Sequence, residues 1–571
     1  MIINLTLNEN LNDEILDLLK VISIREKDNF NNLIELCSKT LAENIDWWVE
    51  QSSSRNIHQS PLFYRFCCIH LIIELIHSGT NIKKVIVDSA ALFKIIKELK
   101  EKENLSFEID GPEGELPSFQ FYIRKSIKLF LRMWKLKRIQ FRAARKRRNL
   151  TPEPSQNGLT LIDQFVFPGF ITKERYYNGL WDILSLEQQR KTYFVPTFAY
   201  IQDDGFESVY NELMTCEKKF IIKEDYLSLF DLLYSLLHIF RVWFIKVPPQ
   251  EVVGVEFSPL IREELLSGGG YSSALEGLLN YRFAKRLKEK SFDLSLVIDW
   301  WEGQPLDRGW NLGFHTFFPK TLRKGYLGYV PSPMELQLYP SENEVRYGVA
   351  PATIATIGKN FSLEMKATAN PHFQAETAPA FRFGHLWENG AAEKMDYGNY
   401  RIFMALSIMV DESVKICEQV IDSGLVDEEE LEFMIKPHPT MNMTTLKNRL
   451  GEKWNNNFQE VEGSTLNYIR KSDLLITGMS SVGLEAVVMG VPVIIVETMN
   501  GLAYDPIPDS VPKELWRKCR SPKEISEAIK SFKARSPEEV RKHKKLSDQI
   551  KKDYFEPVTK ESVSRFLELS N

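Results

Sequence analysis

One segment of the sequence combines a tight turn with two hydroxyl side chains. Residues 473–497, DLLITGMSSVGLEAVVMGVPVIIVE, predict an apolar strand, a turn that carries Ser480 and Ser481, and then an apolar helix. Backbone N–H groups at the start of a helix, together with nearby hydroxyls, donate hydrogen bonds to anions such as phosphate. In the structural alternative Ser480 only caps the helix, as serine does in many proteins. The turn is therefore a candidate phosphate site.

A histidine between two prolines lies at the end of another predicted strand. Residues 435–442, IKPHPTMN, place His438 two residues after Lys436. The prolines restrict the backbone, and ligands bind at strand ends in sheets of this kind. An isolated histidine is more often structural, but the lysine beside it and the serine turn one strand later favour a functional one. We expect His438 to donate a hydrogen bond or a proton to a leaving phosphate, with Lys436 beside it.

The His-Pro segment followed by the Ser-Ser turn resembles the bacterial glycosyltransferases that use CMP-activated acidic sugars, the sialyl-, polysialyl- and Kdo-transferases. The resemblance covers mainly residues 351–497. It implies a GT-B fold of two Rossmann-like domains and a nucleotide-sugar donor. The turn TGMSSVGLEA is also similar to that of CDP-glycerol polyol-phosphate transferases, so a cytidine nucleotide is the shared element.

In the sialyl- and polysialyltransferases a general base lies upstream in a short acidic-Gly motif, and two segments here could match it. IDWWEGQPLDRGWN (298–311) places Glu302 directly after a strand and beside two tryptophans. YIQDDGFE (200–207) fits the two-acid form more literally with Asp204, in a loop farther from His438. Partial desolvation by tryptophans raises the pKa of a carboxyl group toward the range useful for a base. We prefer Glu302 and keep Asp204 as second choice; a buried hydrogen bond and a solvated turn are their respective structural alternatives.

Other residues are weaker candidates for contacts to the donor. Gly358 and Lys359 follow a predicted strand, where the chain can approach a diphosphate or a carboxylate. Arg382 could form paired hydrogen bonds with an anionic group. Ser464 and Thr465 open a helix and could meet the nucleoside, although a structural cap explains them equally well. The nine histidines show no metal-ligand spacing, so we expect neither a metal nor another cofactor.

A long basic segment lies in the first third of the chain. Residues 119–148 predict a helix, and between Arg124 and Arg148 there are twelve Lys or Arg residues and no acid. Apolar residues interleaved with such a cationic face are typical of a surface that binds anionic lipid. A solvated helix packed on an acidic partner is the alternative. The residues assigned to this membrane or acceptor surface are Arg124, Lys128, Arg132, Lys135 and Arg142.

The elements that must position these residues alternate between strand and helix. The first predicted domain, 1–340, has a helical start, a basic helical insertion at about 116–150, and strands at 83–89, 106–110, 191–198 and 294–301. The second, 345–520, has strands at 351–358, 401–408, 432–439, 458–463, 473–478 and 491–497. Residues 521–571 are predicted to be helical. We expect an α/β protein with two Rossmann-like parallel-sheet domains that face a cleft.

Composition excludes several classes of protein. The chain has 571 residues, 43% hydrophobic and 26% charged, which disfavours disordered, collagen-like and coiled-coil proteins. The net charge of −5 argues against a protein devoted to nucleic acid. Six cysteines without a C-x-x-C spacing indicate buried thiols in a reducing compartment. No secretory signal is apparent, and the apolar stretch 226–246 carries too many polar residues to span a membrane. We expect a cytoplasmic protein, peripheral on the inner membrane.

These residues and the resemblance lead to one main hypothesis. The chain would be a metal-independent, inverting glycosyltransferase of bacterial capsule or lipopolysaccharide biosynthesis. It would use a nucleotide-sugar donor, CMP-linked, and a glycan or glycolipid acceptor, and would not bind nucleic acid. The alternatives are a CDP-glycerol-type polyol-phosphate transferase and a non-catalytic membrane- or nucleic-acid-binding scaffold. A nonhydrolysing sugar-nucleotide epimerase shares the fold, but its expected paired acids after the strand-end turn are not found in the sequence.

Overall fold

The computed structural model describes residues 1–7, 11–113, 118–147, 158–169, 171, 175–367, 373–388, 398–439, 441–497, 502 and 506–569. The chain divides into two compact units. Unit 1 comprises residues 1–328, 334–382 and 556–571, and unit 2 comprises residues 329–333 and 383–555.

Unit 1 begins with helices and a small parallel sheet. The strands are β1 (Ile2–Asn4), β2 (Lys84–Ile86) and β3 (Glu108–Asp110), paired in that order. The strands predicted at 83–89 and 106–110 therefore form a sheet of their own instead of joining the main sheet of the unit. The helices around them are α1 (Asp13–Thr40), α2 (Ile45–Trp48), α3 (Gln51–Ser54), α4 (Leu62–His77) and α5 (Ala90–Lys102).

The main sheet of unit 1 is parallel. Its strands, in chain order, are β4 (Leu159–Val166), β5 (Thr192–Phe198), β8 (Leu294–Trp300), β9 (Leu322–Leu327), β10 (Thr353–Thr356) and β11 (Gln374–Thr377). Strands β6 (Glu251–Val252) and β7 (Val255–Glu256) form a separate antiparallel pair. The spatial order is β11-β10-β9-β8-β4-β5. The sequence pattern does not predict β4, because Asp163 and Gln164 interrupt its apolar run although both side chains are buried.

Helices connect and cover these strands. They are α6 (Phe119–Lys146), α7 (Leu180–Ile183), α8 (Leu186–Lys191), α9 (Phe206–Thr215), α10 (Leu229–Leu236), α11 (His238–Arg241), α12 (Ser258–Ser267), α13 (Tyr271–Glu289), α14 (Pro305–Phe317), α15 (Glu342–Arg346) and α16 (Lys359–Lys366). The apolar stretch 226–246 is divided between α10, α11 and a 3-10 turn, Val242–Phe244. Among the described helices, none is both long enough and apolar enough to cross a bilayer.

Unit 2 is a second parallel α/β unit. Its strands are β12 (Tyr400–Ala405), β13 (Leu431–Lys436), β14 (Gln459–Glu460), β15 (Leu474–Thr477), β16 (Val493–Val496) and β17 (Trp516–Cys519), in the spatial order β14-β13-β12-β15-β16-β17. Its helices are α17 (Val410–Asp422), α18 (Met443–Leu450), α19 (Thr465–Lys471), α20 (Val482–Val488), α21 (Pro522–Lys533) and α22 (Pro537–Tyr554). The predicted class, two parallel-sheet α/β domains with a helical N-terminal region, is confirmed.

The domain boundary differs from the predicted one. The predicted domains meet between residues 340 and 345, but residues 334–382 belong to unit 1. Leu338 is buried there, and its carbonyl accepts a hydrogen bond from Trp301 Nε1 at 3.2 Å. The strand predicted at 351–358 is β10, which pairs with β9 of the first sheet. Local composition does not distinguish a linker from a buried loop, since both lack regular periodicity.

The C-terminal residues are also shared between the units. Helices α21 and α22 belong to unit 2, and α23 (Lys560–Phe566) returns to unit 1. There the ring of Phe566 lies 5.2 Å from that of Tyr326. The region predicted to be helical from residue 521 contains α21, α22 and α23, and these helices are divided between the two units.

The cysteines are unbridged and mostly buried. All six lie among the described residues, and only Cys216 is partly exposed. Burial raises the pKa of the Cys37 and Cys68 thiols to about 12. Thiols with such a high pKa are unreactive at neutral pH.

Candidate functional site

The carboxyl ends of parallel strands meet at one edge of a sheet, where ligands of α/β proteins bind. In unit 1, Glu302 follows β8, Gly358 and Lys359 follow β10, Arg382 follows β11, and Asp204 follows β5. Gly358, Lys359 and Arg382 had been predicted to belong to the second, nucleotide-binding domain. They lie instead on the sheet edge that carries Glu302, because β10 and β11 belong to the first sheet.

The carboxyl group of Glu302 is half-buried and held by two neighbours. Trp300 Nε1 donates to Glu302 Oε1 at 2.9 Å, and Gln304 Nε2 donates to Glu302 Oε2. Burial raises the pKa of Glu302, whereas these two hydrogen bonds and the positive charge of Arg382 act in the opposite direction. A carboxyl group with a raised pKa at a strand end is suited to accept a proton from a substrate hydroxyl.

The turn that carries Glu302 is rigid. Gly303 has φ of +66°, and a Cβ atom there would lie 2.0 Å from the backbone oxygen of Gln337. Asp307 Oδ2 accepts the backbone N–H groups of Glu302 at 3.0 Å and of Gln304 at 2.9 Å. These contacts fix the turn between β8 and α14.

Further buried acids lie behind Glu302. Asp163 in β4, Asp299 in β8 and Asp307 in α14 are each almost wholly buried. Burial raises the pKa of Asp163 to about 6, and burial together with repulsion between the acids raises the pKa of Asp299 and Asp307 well above its ordinary value. Sequence reasoning did not single out these three residues. For Asp163 and Asp299 the available signal was an acid within an apolar strand, because burying an acid is costly unless it has partners.

Asp204 has a different environment. It is exposed in the turn before α9, and its neighbour Asp203 lies 4.0 Å from the Lys135 ammonium. The other residues of this edge also differ in exposure: Gly358 is buried at the start of α16, whereas Lys359 is exposed. Of the predicted residues here, Arg382 is the one whose charge acts on Glu302.

The strand ends of unit 2 bring its predicted residues to one edge. Ala405 of β12 pairs with Lys436 on one side and with Thr477 on the other. His438 and the serine turn therefore follow two strands that flank β12, a separation of roughly 10 Å at the strand spacing of a sheet. The two segments had been expected one strand apart. Ser464 and Thr465 follow β14 at the same edge.

The serine turn is partly occupied by its own contacts. The N–H of Met479 donates to Glu412 Oε1 at 2.9 Å, and a Cβ on Gly478 would lie 2.2 Å from that oxygen. Ser480 Oγ accepts the N–H of Val482 at 3.4 Å, whereas Ser481 makes no side-chain cap to α20. Both serines are half-buried. A carboxylate thus already accepts one donor of the turn, and the serine hydroxyls are the remaining candidates for an anion.

The other predicted residues of unit 2 differ in exposure and in hydrogen bonding. His438 is half-buried, and its carbonyl accepts the N–H of Met441 at 2.8 Å. Lys436 is half-buried, and burial lowers its pKa. Ser464 is exposed and makes no side-chain cap to α19, and Thr465 is half-buried. Among the described residues, the side chain of Ser464 therefore does not act as a helix cap.

A histidine that sequence reasoning missed lies near the serine turn. His385 Nε2 is 3.1 Å from Glu485 Oε2, and Glu485 is four residues after Ser481 in α20. Arg470 Nη2 donates to the carbonyl of His385 at 3.3 Å. The signal was Glu485, an acid inside an otherwise apolar helix. Within the described ranges, no group of three or more His, Cys, Asp or Glu side chains could hold a metal ion.

Comparison with known proteins gives structural neighbours only. Neither family models nor curated proteins match the chain. Among the similar solved structures is the MnaA–UDP complex of S. aureus, at 12% identity and a TM-score of 0.41, over 72% of this chain and 95% of that one. UDP-GlcNAc 2-epimerase from Neisseria meningitidis, bound to UDP-GlcNAc, is similar at 12% identity and a TM-score of 0.40, over 72% and 98%.

The glycosyltransferase SnogD from Streptomyces nogalater is similar at 12% identity and a TM-score of 0.37, over 73% of this chain and 100% of that one. Identities and TM-scores this low assign no activity. What the chain does has to be inferred from its own residues.

Proposed function

We propose that the chain is an inverting glycosyltransferase that transfers a sugar from a nucleotide-activated donor to a glycan or glycolipid acceptor. The observation that carries the proposal is the environment of Glu302: a half-buried carboxyl group with a raised pKa, on a rigid turn at the ligand-binding edge of a parallel sheet. Bacterial capsule or lipopolysaccharide biosynthesis is the proposed setting.

In the proposed reaction Glu302 is the general base. Its carboxylate takes the proton of the acceptor hydroxyl while that oxygen attacks the anomeric carbon of the donor. The bond from the anomeric carbon to the donor phosphate breaks, and the nucleotide leaves with the electron pair. One displacement of this kind inverts the anomeric configuration. Trp300 and Gln304, which donate to the two carboxylate oxygens, hold the base in position.

Unit 2 supplies the groups for the leaving phosphate. We assign that role to His438, Lys436 and the hydroxyls of Ser480 and Ser481, which follow strands β13 and β15 at one edge of the sheet. Donors that are in place before the reaction stabilise the charge that grows on the leaving group. With these groups we expect turnover without a divalent metal, so that activity persists in excess EDTA.

The first experiment replaces the base. Glu302→Gln keeps the size of the side chain but cannot take up the proton, so kcat should fall by roughly 10²–10⁴. Nucleotide binding should change little. Asp204→Asn is the matched control, since Asp204 is an exposed acid after β5. A large loss in the control, with Glu302→Gln near wild type, would transfer the role of base to Asp204.

The second experiment tests the donor groups. His438→Ala and the double variant Ser480→Ala/Ser481→Ala should stay folded, because these side chains are at most half-buried, and should lose nucleotide affinity and turnover. Lys523→Ala is a control on an exposed lysine of α21 in the same unit. Variants that bind nucleotide as the wild type does would remove these residues from the donor site.

The proposed cytidine nucleotide is tested by thermal shift. A ligand that binds only the native state raises the apparent stability, so CMP or CDP should raise Tm more than UDP or GDP. Transfer of glycerol phosphate from CDP-glycerol, without sugar transfer, would favour the polyol-phosphate transferase. The absence of nucleotide binding altogether would favour a non-catalytic scaffold.

A further inference from the structure

Helix α6 presents a basic face to solvent. Arg124, Lys128, Arg132, Lys135 and Arg142 are all exposed, at spacings of three, four and seven residues that place them along one side of the helix. The sequence of α6 contains no acid. The outward face of this helix is therefore strongly cationic.

Not all of the basic residues belong to this face. Lys137 and Arg147 are buried, and they form ion pairs inside unit 1 with Glu276 and Asp225. Their role is structural, and neither is among the five residues assigned to the membrane or acceptor surface.

The remaining salt bridges of the basic segment are sparse. Among the described residues they are made by Lys135 with Asp203 and by Lys146 with Glu207. The charges of Arg124, Lys128 and Arg132 are therefore left to attract an external anion.

Apolar side chains are exposed on the same helix. Phe121 is 62% exposed, Leu131 57% and Ile127 45%, and the helical spacing places them among the basic residues. Exposure of these apolar side chains to water is unfavourable. Together with the cationic groups beside them they form an amphipathic face that can enter the headgroup region of a bilayer.

A second row of apolar residues lies in the neighbouring helical segment, 229–244. Phe230, Leu237 and Phe244 recur every seven residues and are 78%, 45% and 72% exposed. Phe230 lies in α10, Leu237 lies between α10 and α11, and Phe244 ends the 3-10 turn that follows α11. Two large aromatic rings exposed in one row are uncommon on a surface that meets only water.

Aromatic rings, half-buried except for that of the exposed Phe119, connect the two segments. The ring of Phe130 in α6 lies 5.9 Å from that of Phe240, and the ring of Phe119 lies 5.0 Å from that of Trp243. Phe240 follows Leu237 by three residues, and Trp243 precedes Phe244. The exposed apolar row of 229–244 therefore lies beside α6, and basic and apolar groups belong to one surface of unit 1.

We propose that this surface, the exposed residues of α6 and of segment 229–244, docks on an anionic lipid bilayer. Arginine and lysine would bind lipid phosphates, and the phenylalanine rings would insert at the level of the headgroups. A nucleic acid would match the charge, but it offers no apolar region for the aliphatic side chains of Ile127, Leu131 and Leu237. The proposal does not depend on the transferase activity.

The experiment measures co-sedimentation of the full chain with vesicles of phosphatidylcholine alone or of equal parts phosphatidylcholine and phosphatidylglycerol. Binding should require phosphatidylglycerol and weaken with salt. Substituting Arg124, Lys128 and Arg132 together by glutamine should lower the partition coefficient by on the order of a hundredfold. The control removes the same charge elsewhere, with Arg541, Lys544 and Lys545, exposed on α22, replaced by glutamine.

A second pair of variants tests the apolar row. The double variant Phe230→Ser/Phe244→Ser should weaken binding by about tenfold per ring, since each ring leaves water on docking. Leu186→Ser, at a residue 75% exposed in α8, is the control and should bind as the wild type does. Because all these side chains are exposed, we expect every variant to fold, and circular dichroism checks this.

Three results would overturn the proposal. They are no binding to phosphatidylglycerol vesicles, equal loss in the test and control variants, and binding of single-stranded RNA as tight as that of the vesicles. None of them bears on the glycosyltransferase proposal, because vesicle binding is measured without donor or acceptor. Conversely, loss of turnover in Glu302→Gln leaves the docking surface unaffected.

Discussion

At the scale of single residues, burial and the surrounding groups act in opposite directions on the pKa of the proposed base. Burial raises the pKa of Glu302, whereas the hydrogen bonds from Trp300 and Gln304 and the positive charge of Arg382 lower it. Arg382→Gln removes the effect of that charge, so the pKa of Glu302 should rise further. Because the base must be deprotonated to act, the acidic limb of the kcat/KM profile should move to higher pH.

The matched control is Arg346→Gln, which removes an exposed arginine at the end of α15 in the same unit. Its profile should overlay that of the wild type. A limb that stays in place in Arg382→Gln, or moves to lower pH, would mean that Arg382 does not act on the catalytic carboxyl group. The measurement is the pH dependence of turnover at low substrate.

A second residue-scale prediction concerns the turn after β8. Gly303→Ala adds a Cβ that would lie 2.0 Å from the Gln337 oxygen at a φ of +66°. We expect a loss of about 2 kcal/mol or more in the free energy of unfolding, together with loss of turnover. Gly79→Ala is the control: φ is +71° but there is nothing within 4 Å, so the cost should be about 1–2 kcal/mol. If denaturant titrations gave the same loss of unfolding free energy for both variants, the backbone at Gln337 would have shifted to accommodate the added Cβ at no cost.

At the scale of elements, a buried histidine joins α2 to α11. His238 Nδ1 lies 2.6 Å from Asp46, and Nε2 lies 2.6 Å from Glu50. The two carboxylates outweigh the effect of burial and raise the pKa of His238 from 6.5 to about 9. The protonated ring donates from both nitrogens, so it links the N-terminal helices to the segment that follows α10.

The raised pKa predicts how stability depends on pH. A group whose pKa is higher in the folded state contributes its stabilisation fully below the unfolded pKa, and loses it as pH rises through the folded pKa. Between pH 6.5 and 9 the free energy of unfolding of the wild type should therefore fall by on the order of 3 kcal/mol, and that of His238→Gln should not show this fall. His77→Gln, at an exposed histidine, should retain the wild-type slope. Parallel slopes in all three proteins, measured by urea unfolding, would contradict this link.

At the scale of the whole molecule, the chain leaves unit 1, forms unit 2 and returns. The returning helix α23 buries Phe566, whose ring lies 5.2 Å from Tyr326 and 5.7 Å from Phe381. Lys324 Nζ also donates to the carbonyl of Phe566 at 3.2 Å. The last helix is therefore part of the core of unit 1, although all of unit 2 lies before it in the sequence.

Phe566→Ala should destabilise unit 1 by about 3–5 kcal/mol, the usual cost of emptying a buried aromatic site. Hydrogen exchange should quicken in β9 and β10 and stay slow in β12 and β15. Phe532→Ala, in the core of unit 2, should give the reverse pattern. Faster exchange in both units from either variant would show that they unfold together.

The sequence by itself determined the local elements and the candidate strand ends. Apolar runs located β5, β8, β12, β13, β15 and β16, because burial on both faces leaves a continuous apolar signal in the chain. Strand-end turns with polar residues identified Glu302, His438 and the two serines. The long basic helix was predicted within two residues of its observed end at Lys146.

Tertiary structure decided which sheet each strand joins and what surrounds each side chain. Because β10 pairs with β9, Gly358, Lys359 and Arg382 lie at the sheet edge that carries Glu302. Helix α23 belongs to unit 1 although the helices before it belong to unit 2. The buried Asp163 and the contact between Glu412 and the serine turn also appear only in three dimensions. The physical reason is that apolar patterning specifies burial but not partner, and a pKa depends on charges that are distant in sequence and adjacent in space.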